Sequence, residues 1–111
     1  MQLLTKEIKA KLLRNGDVTN RGNDHRPVVK YFGGGACTWL ITEMDSADED
    51  TLFGLCDLGM GYPELGYVSL EELKSMRFPF GLGVERDLHF KGTAPLSTYA
   101  KASTIDQRIV A

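Results

Sequence analysis

The chain predicts an α+β fold: a mainly antiparallel sheet of about five strands with two or three helices packed on it and covering one face. Three observations carry this expectation. Short segments of alternating apolar and polar residues recur between glycine-rich turns, which is the pattern of hairpin-connected strands. Two stretches carry helix-capping signals, at Thr5 and at Ser69. The 111-residue length fits one domain, 1–111, able to bury a core without staples.

Thr5 caps a helix from about Lys6 to Arg14, with Glu7 in the first turn and Asn15-Gly16 as its stop. Leu4, Ile8 and Leu12 form one stripe, and Lys6, Lys9, Lys11 and Arg14 spread over the remaining circumference. Asp17 to Pro27 (DVTNRGNDHRP) is polar throughout and reads as an exposed loop. His25 has no second histidine or cysteine at ligand spacing, so a solvated loop side chain is expected there.

VVKYF (28–32) and ACTWLITEM (36–44) read as two strands joined across Gly33-Gly34-Gly35. Cys37, Trp39 and Ile41 alternate with Thr38, Leu40 and Thr42, so the second strand is apolar on both faces and central. DSADED (45–50) has the oxygen ligands calcium prefers but lacks the bend glycine and closing glutamate of an EF-hand, and reads as a solvated turn. Leu52 to Leu58 is a third strand, with Cys56 and Asp57 pointing to opposite faces.

Gly59-Met60-Gly61-Tyr62-Pro63 ends that strand, and ELGYV (64–68) begins a short extended segment. Ser69-Leu70-Glu71-Glu72 has the form of a capping box, opening a helix with Leu70, Leu73 and Met76 inward and Pro79 past its end. VERDLHF (84–90) alternates in the manner of an edge strand. A last short helix is expected from about Pro95 to Lys101, with a tail after about 103 that frays.

Charge is unevenly placed. Residues 1–31 carry seven Lys/Arg against three Asp/Glu, residues 32–73 carry nine acidic residues and no basic one, and residues 74–111 carry six basic against three acidic. The favoured reading is internal pairing of basic helices with an acidic sheet edge, ahead of a field that faces a partner. No apolar run approaches the length needed to span a bilayer, and the N-terminus lacks the apolar block of a secretory signal, so a cytoplasmic protein is expected. Cys37 and Cys56 are too few for a disulfide framework and read as buried free thiols, with a bridge left open if they lie on neighbouring strands.

Phosphate-loop chemistry is disfavoured: Gly54, Gly59, Gly61 and Gly66 do not form G-x-G-x-x-G, and the turn leads into extended chain before any helix. Binding is the favoured function class. Asp57, Tyr62 and Glu64 around the glycine turn, joined by Arg86 and Asp87, are the candidate recognition residues, and the partner expected is a protein, with nucleic acid involved only indirectly. An alternative is a small hydrolase or metal-dependent enzyme using Asp57, Glu64, Glu85, Asp87 and His89; a Cys56–His89 pair is a weaker catalytic option. A third is DNA binding by the N-terminal helix and the Arg21 to Arg26 loop. No metal or other cofactor is implied.

The segments LLTKEIKAKLLRNG, FGLCDLGMGYPELGYVSLEEL and ERDLHF carry a further signal. Together with Val28-Val29-Lys30, Thr38-Trp39-Leu40, Glu43 and Glu85-Arg86-Asp87, they make the chain resemble a bacterial domain of unknown function, family 2958, from Leu3 to about Tyr99. The resemblance implies no particular activity or catalytic residue. It implies a small protein of plasmids, integrated elements or phages, with a role in element maintenance or host-defence evasion.

Overall fold

A computed structural model describes residues 2–111. Five strands form one antiparallel sheet: β1 (Val29–Gly33), β2 (Cys37–Met44), β3 (Thr51–Asp57), β4 (Glu64–Ser69) and β5 (Glu85–Arg86), in the order β4-β3-β2-β1-β5. Three helices accompany it: α1 (Lys6–Asn15), α2 (Leu70–Ser75) and α3 (Leu96–Asp106). The α+β architecture matches the sequence expectation. The helices, however, do not all cover one face.

α1 and α2 lie on one face, where Leu12, Leu70 and Leu73 pack with Val29, Tyr31, Trp39, Ile41, Met44 and Leu52. α3 lies on the other, where Leu96 packs with Leu40 and Leu55 and draws in Phe53, Phe90, Tyr99 and Ile109. The central strands β2 and β3 are therefore apolar on both sides because each side has a helix to bury it. Each fully buried aliphatic side chain contributes about 1.5–3 kcal/mol of transfer free energy.

α1 begins as its sequence requires: Thr5 Oγ1 accepts from the Ile8 N–H at 3.1 Å. Its C-terminal Gly16 has φ −86°, so the glycine is not there for a left-handed bend. It is there for space, because a Cβ would lie 1.9 Å from the Met44 carbonyl oxygen. One residue earlier, Asn15 Nδ2 donates to the Thr42 carbonyl at 2.9 Å, so the helix end is tied to β2.

Thr42 is the extra residue of a β-bulge. Ile41 pairs with Gly54 and Glu43 with Phe53, which leaves Thr42 unpaired between them. Strict alternation would put Glu43 on the Trp39 face and Met44 on the Leu40 face. The bulge reverses this parity, and Met44 joins Ile41 in the core beneath α1 while Glu43 turns to the α3 face.

At the β1–β2 turn Gly34 and Gly35 take φ of 60° and 78°, the left-handed region that favours glycine. The Phe78 ring closes on Gly33 and Gly34, where any Cβ would overlap it. α2 uses half of the expected capping box. Ser69 Oγ accepts from the Glu72 N–H at 3.2 Å, and in place of a reciprocal bond from the Glu72 side chain Asp50 supports the helix start, accepting from the Glu71 N–H at 2.8 Å and from the Ser69 hydroxyl at 2.6 Å.

The edge strand expected over 84–90 is only two residues long. Asp87 still donates its N–H to the Lys30 carbonyl, but its Oδ1 then accepts from the His89 N–H at 2.9 Å. That Asx turn competes with the ladder and leads the chain away from the sheet. The last helix is longer than expected, running to Asp106, with Ser103 buried in it. Its N-terminus is capped from far away: Asp24 accepts from both the Ser97 N–H and the Ser97 hydroxyl, and the His25 carbonyl accepts from the Leu96 N–H. The 17–27 segment is thus tied to α3, although most of its side chains are exposed. Among the described residues no helix is long and apolar enough to cross a membrane.

Candidate functional site

The residues singled out from the sequence fall into two places. Asp57 ends β3, and Tyr62 and Glu64 lie in and just after the turn that leads into β4. Arg86 and Asp87 lie at β5, beyond β2 and β1, about 14 Å away at ordinary strand spacing. The structure brings the first three to one edge of the sheet and leaves the other two at the opposite edge.

Asp57 is buried and committed locally. Its Oδ1 accepts from the Gly59 N–H at 2.8 Å and its Oδ2 from the Ile109 N–H at 3.0 Å, so one carboxylate holds both the glycine turn and the C-terminal tail. A shallow cavity of about 610 Å³ adjoins it, lined by both glycine turns and residues 106–109. Asp87 lies 3.6 Å from Lys30 Nζ, and Arg86 Nε donates to the Gln2 carbonyl at 3.2 Å.

The carboxylate–imidazole set is divided in the same way, with Asp57 and Glu64 on one edge and Glu85, Asp87 and His89 on the other. Among the described residues no group of three or more His, Cys, Asp or Glu side chains is gathered as a metal site requires. Cys37 and Cys56 are free thiols facing the α1 side of the sheet. Burial pushes the Cys56 thiol up to about 11. Burial, with Asp57 second, raises Cys37 as well. His89 is exposed on the far side of β1, so it is no partner for Cys56. On α1, Lys9 pairs with Glu49 of the acidic loop at 2.7 Å, one instance of the internal pairing expected from the charge pattern.

A different group of side chains forms a defined recess. The register places Glu43 opposite Phe53 and Phe53 opposite Tyr67, so the three make a row across β2, β3 and β4 on the α3 face. The Phe53 and Tyr67 rings touch, with centroids 5.1 Å apart and planes inclined at 59°. Beside them is a cavity of about 220 Å³ whose walls also include Arg21, Gly22, Asp45 and Thr51. The Glu43 side chain is 12% exposed; its Oε2 accepts from the Gly22 N–H at 3.2 Å and lies 3.9 Å from His25 Nε2. His25 is accordingly not a solvated loop histidine: its ring is largely buried, and Nε2–H donates to the Asn20 carbonyl at 2.9 Å.

Sequence reasoning missed this recess because it depends on the bulge at Thr42 and on a loop contact between residues 21 apart. The available signal was Glu43, the lone charged residue of the central strand β2.

Around the recess the sheet edge is apolar and open. Tyr67 is 75% exposed and Leu65 51%, both on the α3 face of β4, and Met60 and Tyr62 extend the exposed group through the preceding turn at 73% and 79%. Among the described residues β4 pairs only with β3; Pro63 and the charged Glu64 stand at its start, and from Leu65 to Ser69 it carries no charge, proline or bulge of the kind that usually protects an edge. A second exposed apolar tip, Phe80 with Leu82, occupies the loop before β5. Phe80 has φ 68°, a left-handed conformation that is uncommon for a bulky residue.

No curated protein and no solved structure matches the chain. One family profile does, over residues 3–110, and it bears the description "Protein of unknown function (DUF2958)". With nearly its whole length matched, the chain belongs to the DUF2958 family of proteins of unknown function.

Proposed function

We propose that the protein is a small binding protein that docks on a protein partner through the outer edge of its sheet. The observation that carries this reading is the exposure of Leu65 and Tyr67 on the edge strand β4 and of Met60 and Tyr62 in the turn that leads into it. Contiguous exposed aromatic and aliphatic side chains on a small protein mark interaction sites, and tyrosine is enriched where binding energy concentrates. Unpaired strand groups on the same edge add main-chain hydrogen bonding to that surface.

In this reading Tyr62 and Glu64 belong to the interface, while Asp57 acts behind it by holding the turn in shape. Arg86 and Asp87 stand at the opposite edge, outside the docking face. The nine carboxylates and absent cations of residues 32–73 favour a basic protein surface over direct contact with nucleic acid. The setting, which rests on the family resemblance alone, is a plasmid, phage or integrated element, with the partner engaged in nucleic-acid processing or host defence.

Affinity capture from the native host, read by mass spectrometry, tests the proposal. A stoichiometric protein partner is expected with the unaltered chain and is lost with the Tyr62→Ser/Tyr67→Ser variant. Recovery of no partner, or equal recovery by both, contradicts it.

A further inference from the structure

We infer that the recess formed by Glu43, Phe53 and Tyr67 is a guanidinium-binding pocket, and that an arginine side chain of the docked protein occupies it. This rests on the reading of the β4 edge as the partner-facing surface, since Tyr67 belongs to both.

The shape and size of the recess select a side chain. At about 220 Å³ it is smaller than the range typical of cavities that enclose a drug-sized ligand. It opens beside the exposed Tyr67, so an incoming chain that follows β4 can extend one residue across it. In the row Tyr67–Phe53–Glu43, an aliphatic stem lies over the outer ring and a planar head rests on the inner ring, ending at the carboxylate. Glu43 Oε2 is oriented by the Gly22 N–H, and Oε1 has no hydrogen bond among the described residues. A carboxylate held in place at the end of an aromatic wall suits the flat fork of arginine better than the compact, strongly hydrated ammonium of lysine.

Charge points the same way. Glu43 and Asp45 face the recess from strands and loops that carry no cation between residues 32 and 73. A phosphate or carboxylate ligand meets that field unfavourably. His25 stands behind Glu43, its Nε2 3.9 Å from Oε2 and donating to the Asn20 carbonyl, and the opposing group in the lining is Arg21, an exposed side chain at the rim with no ion pair among the described residues. It acts as a like charge that an incoming arginine must displace, and its removal therefore strengthens binding. An anion site requires the reverse, so Arg21 separates the two chemistries.

The probe is N-acetyl-arginine methylamide, titrated to about 50 mM against the 15N-labelled protein. Saturable shifts are expected at the Gly22, Glu43, Phe53 and Tyr67 amides, with none for the uncharged citrulline analogue. Glu43→Gln weakens binding about tenfold, and Arg21→Ala tightens it about threefold. Tyr67→Leu, an exposed substitution that leaves folding intact, weakens it as well. Absence of saturation, equal binding of the citrulline analogue, or weakening by Arg21→Ala overturns the inference. If arginine binds as expected but the Tyr62→Ser/Tyr67→Ser variant still captures the partner, the docking proposal fails and with it the docked protein as the source of the arginine, while the guanidinium pocket stands. If capture behaves as proposed but arginine does not bind, this inference alone fails.

Discussion

Gly54 and Gly66 face each other across β3 and β4, yet the structure assigns them opposite sensitivities. Gly54 sits beside the bulge, where a Cβ would lie 2.0 Å from the Leu40 carbonyl oxygen and 2.9 Å from the Ile41 Cα. Side-chain Cβ atoms essentially never approach closer than 3.0 Å, so Gly54→Ala must push β3 about an ångström away from β2. Overpacking of this kind costs about 1–3 kcal/mol, and one weakened ladder hydrogen bond adds about 1. The sum, about 2–4 kcal/mol, corresponds to a Tm lowered by about 10–15 °C at this chain length. At Gly66 nothing lies within 4 Å of the added Cβ and φ is not positive. Gly66→Ala should therefore be neutral or stabilising by up to about 1 kcal/mol, through reduced freedom of the unfolded chain. Thermal unfolding followed by far-UV circular dichroism distinguishes the two. Equal Tm values for both variants would refute the assigned bulge geometry, and with it the position of Glu43.

Three further outcomes follow from particular contacts. Asp57→Ala leaves the Gly59 and Ile109 N–H groups without their acceptor and should cost about 2–3 kcal/mol in a urea melt, with Ile109 becoming more mobile by NMR relaxation; an unchanged Ile109 would contradict the dual role of that carboxylate. Cys56, raised by burial from 9.0 to about 11, should alkylate slowly at neutral pH and accelerate as pH climbs towards 11. Its contribution to stability is present below pH 9 and lost as pH rises through the folded value, so alkylation at the unfolded rate at pH 8 would sink the assignment. The Ser69 hydroxyl and then the Glu71 N–H hold the Asp50 carboxyl below its ordinary value of 3.8. The contribution of this cap is present above pH 3.8 and lost below it as the folded group titrates, and an Asp50 midpoint at or above 3.8 by NMR would contradict it.

Local signals read correctly where the structure is local. The Thr5 and Ser69 caps, the glycine hairpin after β1 and the opposed faces of Cys56 and Asp57 all depend on residues close in the chain. What escaped is nonlocal. Asp24 caps a helix 73 residues away, so a polar loop gave no sign of its role in placing α3. Alternation at 84–90 was genuine, but the Asp87 side chain turned the backbone aside after two paired residues. The bulge mattered most. Period-two reasoning through Ile41-Thr42-Glu43-Met44 assigns Glu43 to the wrong face, and the recess it forms with Phe53 and Tyr67 stays hidden until the register is known. The exposure of Tyr62 and Glu64 was legible because a glycine-proline turn must expose its neighbours, whereas Arg86 and Asp87 could not be placed without the strand order.

The docking claim is tested most directly by comparing the two exposed apolar surfaces in one binding measurement. The captured partner is titrated by calorimetry against the unaltered protein, the Tyr62→Ser/Tyr67→Ser variant and Phe80→Ser, in which the fully exposed tip near β5 is removed instead. Loss of affinity by at least about a hundredfold is expected for the tyrosine variant, as for two interface anchors worth about 1.5 kcal/mol each. Phe80→Ser should bind as the unaltered protein does. Full affinity in the tyrosine variant together with loss in Phe80→Ser would place the partner at the opposite edge and contradict the account.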